Sequence, residues 1–126
     1  MPRKILVVDN DEKSFDGIEK ALHSSGSEMT VVDDRWDTLS LAKETRPDVI
    51  ILSLEFFQQG IIDMVAAFKS CLELSPIHIF LISSGQDNVP SYPLGLSGVQ
   101  CHLRKPFLPR VLMLASEKVF TREMNI

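Results

Sequence analysis

Pro47-Asp48-Val49-Ile50-Ile51-Leu52-Ser53-Leu54-Glu55 is the stretch on which the fold turns. It enters past a proline, runs through Val49 to Leu52 without a polar residue, and stops at a serine. A short run that is apolar at every position reads as a strand covered on both faces of its sheet. Other runs share this build. Lys4-Ile5-Leu6-Val7-Val8 leads into Asp9-Asn10-Asp11-Glu12, and Ile77 to Ile82 leads into Ser83-Ser84. A segment from about Val99 to Leu103 leads into Arg104-Lys105-Pro106-Phe107, and Met29-Thr30-Val31-Val32 makes a shorter strand.

Between these runs the apolar spacing changes from strand-like to helical. Phe15, Ile18 and Leu22 share one face, with Ser14 suited to the N-cap and Gly26 to the close. A second helix is expected from about Trp36 to Thr45, with Leu39 and Ala42 inward and Pro47 ending it. Ile61, Met64, Val65, Phe68 and Leu72 form a third stripe. A last helix starts near Pro109, with Val111, Leu112, Ala115 and Val119 as its buried face and Phe120 beside it. The segment from Gly85 to Gly98 breaks the pattern, because Pro90 and Pro93 oppose a regular helix there.

Strands alternating with helices imply a parallel sheet joined by right-handed crossovers, with helices on both of its faces. This is a doubly wound α/β fold. Parallel strands bring their carboxyl ends to one edge, where sites in such sheets lie. Asp9, Asn10, Ser53, Ser83 and Lys105 then gather at that edge.

The 126 residues suit one domain, 1–126, with one core. An apolar fraction of 44% and a charged fraction of 24% are those of an ordinary globular chain. A net charge of -4 without a basic stripe argues against direct nucleic-acid binding by this domain. No apolar stretch approaches the ~20 residues of a membrane span, and the few apolar residues before Asp9 do not make a signal peptide. Cys71 and Cys101 are too few and too far apart for a disulfide framework or a zinc site. Two reduced thiols fit a cytoplasmic protein.

Taken in order, these strand ends resemble the receiver domain of two-component response regulators, over essentially the whole chain. The family pattern is an acidic pair after the first strand, a phosphoaccepting aspartate after the third, a serine or threonine after the fourth, and Lys-Pro after the fifth. Asp9, Ser83 and Lys105-Pro106 match it. Asn10 replaces the second acid, and Ser53 replaces the phosphoacceptor. The resemblance implies a flavodoxin-like fold with strand order 2-1-3-4-5, a cis bond between Lys105 and Pro106, and a switch position at His102. It also implies a magnesium site from Asp9, position 10 and the backbone carbonyl of Glu55. With one carboxylate left of three, magnesium binding is expected to be weak or absent. Ser53 cannot form an acyl phosphate, and no histidine is placed by sequence to activate it. Lys105 is expected to pair with Asp9, and Ser83 to bond local backbone.

The expected function is therefore a degenerate receiver of a phosphorelay-type system. It is not an enzyme, and it signals through protein contacts. Its partner or effector domain is expected on the 85–119 face, which in receivers also makes homodimers. Two alternatives stand beside this. Val7-Val8-Asp9-Asn10-Asp11 resembles the opening motif of haloacid-dehalogenase-type phosphatases, although the chain is short and Gln86-Asp87 supplies no second acidic motif. The other alternative is phosphorylation at another residue. Asp11 lies close to the pocket, whereas Asp48 precedes its strand and should sit at the opposite end. Trp36, Phe56 and Phe57 are candidates for exposed aromatics, the last two more commonly folding back on the core. His23 and His78 have no ligand-type partners nearby in sequence.

Overall fold

The structure is a computed structural model that describes residues 3–11, 15–24, 26–33, 36–57, 60–83, 99–105 and 109–124. The strands are β1 (Arg3–Val8), β2 (Ser27–Val32), β3 (Val49–Ser53), β4 (His78–Ser83) and β5 (Val99–Arg104). The helices are α1 (Asp16–Ser24), α2 (Thr38–Thr45), the single turn α3 (Leu54–Phe57), α4 (Gly60–Ser70) and α5 (Pro109–Met124). All strand pairs are parallel and the order is β2-β1-β3-β4-β5.

Side-chain alternation along each central strand divides the core into two layers. Ile5, Val7, Val49, Ile51, Phe80 and Ile82 face Phe15, Ile18 and Leu22 at α1 and Leu112 of α5. Leu6, Val8, Ile50, Leu52, Ile79 and Leu81 face Ala42 of α2, Leu54 and Phe57 of α3, and Ile61, Val65 and Phe68 of α4. Every apolar residue of β3 is fully buried, as a strand covered on both faces requires. Each such side chain contributes about 1.5–3 kcal/mol.

Several expectations are corrected at the ends of elements. The second helix begins at Thr38, because Asp37 keeps non-helical torsions and Trp36 stands in a turn, 87% exposed. It closes on Arg46 in the left-handed conformation, whose N–H bonds the Ala42 carbonyl. The second strand starts earlier, at Ser27, since pairing with β1 outweighs the low strand propensity of Ser27 and Glu28. The third stripe stops at Phe68. Leu72 lies beyond the end of α4 in a turn and is 90% exposed. In α5 the buried face centres on Leu112, so Val111, about 100° around the helix, reaches solvent. The Phe56–Phe57 pair folds back on the core with its rings edge to face. Ser14, Pro106, the 85–98 segment and the side chains of Val119 and Phe120 lie outside the described residues.

The β4–β5 ladder slips once, between Ile79 and Phe80, leaving Gln100 as the extra residue of a bulge. Its side chain repairs the break, with Oε1 accepting from the Ile79 N–H at 2.9 Å. At the opposite edge β2 pairs with β1 in unbroken register from Arg3↔Ser27 to Val8↔Val32.

Candidate functional site

The carboxyl edge of the sheet is assembled by backbone bonds that carry two ladders one residue past their strands. Asp9 N–H donates to the Val32 carbonyl at 3.0 Å, which seats Asp9 over the end of β1. Lys105 N–H donates to the Ser83 carbonyl at 2.7 Å, which seats Lys105 over the end of β4. The two side chains then meet across the sheet, with Lys105 Nζ 2.5 Å from Asp9 Oδ2. Asp9 is only 1% exposed, so the lysine offsets the cost of burying its charge. Lys105 Nζ is also 3.7 Å from Asp11 Oδ2 and 5.5 Å from the centroid of Phe15, within cation–π range.

The sequence reading left one carboxylate at the metal position and placed Asp11 close to the pocket; the structure brings both Asp9 and Asp11 to Lys105. Asn10, between them, is exposed.

Ser53 is buried at 1% exposure, and its Oγ accepts the Phe56 N–H at 3.3 Å. That is the bond of a helix N-cap, from the residue before the turn to its third N–H. Position 53 thus starts α3, a role readable in a serine standing just before Leu54-Glu55-Phe56-Phe57. Glu55 is exposed in that turn.

Ser83 is fully buried, and its Oγ lies 3.0 Å from His102 Nε2. Leu81 is the register partner of His102, so Ser83 is its diagonal neighbour on the same face. Ser83 therefore bonds a side chain across the ladder; the local backbone that follows it, where a backbone bond was expected, lies outside the described residues. Burial pushes His102 below the ordinary histidine value, the Arg104 charge adds to that, and the Glu55 carboxylate opposes both. Asp48 accepts the Lys4 N–H at 2.8 Å at the far end of the sheet, away from this site. Among the described residues no three His, Cys, Asp or Glu side chains are grouped as a metal site.

The fold is the flavodoxin-like fold of response-regulator receiver domains. The structure superposes on a response regulator from Thermotoga maritima with a TM-score of 0.80 at 15% identity, covering 96% of this chain and 99% of that one. It superposes on another from Desulfuromonas acetoxidans with a TM-score of 0.81 at 18% identity, covering 94% and 97%. In sequence the chain is 30% identical over 114 residues to the DNA-binding response regulator MtrA of Mycobacterium tuberculosis, across 90% of this chain and 48% of that protein. It is 30% identical over 106 residues to the transcriptional regulatory protein PrrA of Mycobacterium leprae, across 83% and 44%. No family model matches. The chain spans about half the length of these relatives. By fold and sequence together it is similar to the receiver-like domains of two-component response regulators. Among the described residues no helix is long and apolar enough to cross a membrane.

Proposed function

We propose that this chain is a cytoplasmic receiver-like module that accepts no phosphoryl group at position 53 and signals through protein contacts. The observation that carries the reading is the state of Ser53. Its oxygen is neutral, buried and engaged with the Phe56 N–H, so no nucleophile is presented where an acyl phosphate would form. The donor set does not fit the magnesium ion that this chemistry uses. Asp9, the buried carboxylate, and Asp11 both lie against Lys105, Asn10 offers only an exposed amide, and Ser53 offers no charge. With no phosphotransfer step left to it, the domain is not an enzyme.

The contact face is the 85–119 side. Its described part exposes Val111 and Leu114 along a groove of about 380 Å³ between β5 and α5, floored by Cys101, Leu103 and Ala115. MtrA is a DNA-binding response regulator; in this reading nucleic acid is not bound by the -4 domain itself. A second reading has one observation behind it. Asp11 is 55% exposed and 3.7 Å from Lys105, which makes it the more exposed carboxylate of the site.

Acetyl phosphate and magnesium followed by intact-mass measurement tests both. No phosphoryl adduct is expected. A stoichiometric adduct lost in Asp11→Asn would establish the second reading, and one lost in Ser53→Ala would overturn the first. Restoring both acids, Asn10→Asp with Ser53→Asp, should recover metal binding if nothing else in the pocket has changed.

A further inference from the structure

The two edges of the sheet are built differently. The β5 edge is blunted by its bulge, with Gln100 folded back on Ile79. Bulges are one of the devices by which proteins keep an edge from pairing with another chain. The β2 edge carries no such device. Ser27-Glu28-Met29-Thr30-Val31-Val32 has no proline or lysine, and its register with β1 is regular along its whole length.

The Val32 carbonyl accepts from Asp9 on the β1 side. In a parallel ladder the backbone groups of successive residues turn to alternate sides. Glu28 and Thr30 therefore face β1, and the N–H and C=O of Ser27, Met29 and Val31 point outward. Among the described residues no strand lies beyond them. Side chains alternate between faces as well. Met29 and Val31 pack in the α1 layer and Val32 in the α2 layer, which puts Glu28 and Thr30 on the α2 face.

This strand is complementary to itself. An inverted copy set beside it, about a two-fold axis through Thr30 normal to the sheet, brings outward-pointing residues together. Met29 and the copy's Val31 then exchange backbone bonds and share the α1 face. Thr30 meets its own counterpart on the α2 face, a favourable cross-strand pair. Glu28 stands opposite the copy's Val32, so no like charges are directly opposed.

The same axis inverts α1, which lies along this edge strand. Asp16, Glu19, Lys20 and His23 recur at helical spacing, all exposed, on the wall of an open cleft of about 810 Å³ between α1 and β2. The acids stand in the first turn and His23 in the last, so the face is divided by charge along its length. Among the described residues none of the four side chains forms an ion pair. An inverted copy turns Glu19 toward the other chain's Lys20 and Asp16 toward its His23, in both directions at once. A two-fold interface requires this self-complementarity. A foreign strand would have to supply the same order of charge, whereas a second copy already carries it.

We infer that two copies of this chain pair antiparallel through β2, joining their sheets into one with the charge-divided α1 faces side by side. The contact is at the opposite edge from the β5–α5 groove and uses no phosphoryl chemistry. It therefore stands or falls apart from the proposed function.

The test is the mass of the whole chain in solution against concentration, by sedimentation, with amide NMR of a sample in which half the copies are isotope-labelled. A monomer–dimer equilibrium is expected, with intermolecular contacts between the Thr30 residues of the two copies. Val31→Pro removes an outward N–H and no bond to β1, so it should leave a folded monomer. Glu19→Lys and Lys20→Glu should each weaken the dimer about tenfold by setting like charges face to face, and the two together should restore it. Loss of folding cannot produce that rescue, so the test holds even if the proline variant misfolds. A chain that stays monomeric to millimolar concentration, a dimer with its contacts at β5 and α5, or a charge exchange without rescue would overturn the inference. A monomer whose β2 amides shift only on adding a strand peptide of unrelated sequence would also overturn it, because the edge would then belong to a foreign segment.

Discussion

At the scale of single residues, three polar side chains set the character of the site, and each is already engaged. Ser53 caps α3, Lys105 closes on Asp9 and Asp11, and Ser83 holds His102. Ser53→Ala should lower stability by about 1 kcal/mol, the usual cost of a lost N-cap, measured as a urea midpoint with unchanged slope. His102 gives a pH dependence whose sign is fixed by its lowered value. The unfolded chain binds the proton more readily than the folded one, so stability rises with pH across the window between them. Stability is fully present above the ordinary value of about 6.5 and declines as pH falls toward the folded value. His102→Phe should flatten that decline in urea midpoints taken across the window. The membership of this site was legible in the order of polar residues after apolar runs. Its bonding was not, because Asp11, Phe56 and His102 reach their partners through geometry that spacing only hints at.

At the scale of elements, the strands were the legible part and the ends of helices the illegible one. Val49 to Leu52 and Ile79 to Ile82 are apolar at every position because both faces are covered, and that pattern has no competing reading at this length. Leu72 misled because a leucine at helical spacing looks the same whether or not the helix still continues. Val111 misled because five apolar residues in a row, Val111 to Ala115, conceal which of them faces inward. The bulge at Gln100 left no sequence mark, since glutamine is unremarkable in an edge strand. The end of α2 supplies a prediction at this scale. Arg46 takes φ 47°, a conformation that costs a side-chain-bearing residue about 1 kcal/mol and costs glycine nothing. Arg46→Gly should therefore raise the thermal midpoint, offset only in part by the greater freedom of glycine in the unfolded chain. A fall would mean that the arginine side chain supplies more than its backbone conformation loses.

At the scale of the whole molecule, two apolar layers clamp one parallel sheet, and the Lys105–Asp9 pair ties the end of β5 to the end of β1 across β3 and β4. A switch driven by phosphorylation needs a ligand that favours one arrangement over another. Here the pocket cation lies against the chain's own carboxylates, and Ser83 is bonded to His102. In the proposed reading the domain keeps one arrangement, read by partners through fixed surfaces. The most direct test is the amide spectrum of the chain with and without beryllofluoride and magnesium, a stable mimic of the phosphorylated aspartate. The account predicts superimposable spectra at Asp9, Ser53, Ser83, His102 and Lys105. Saturable shifts at Ser83 and His102 that spread into β5 and α5 would contradict it.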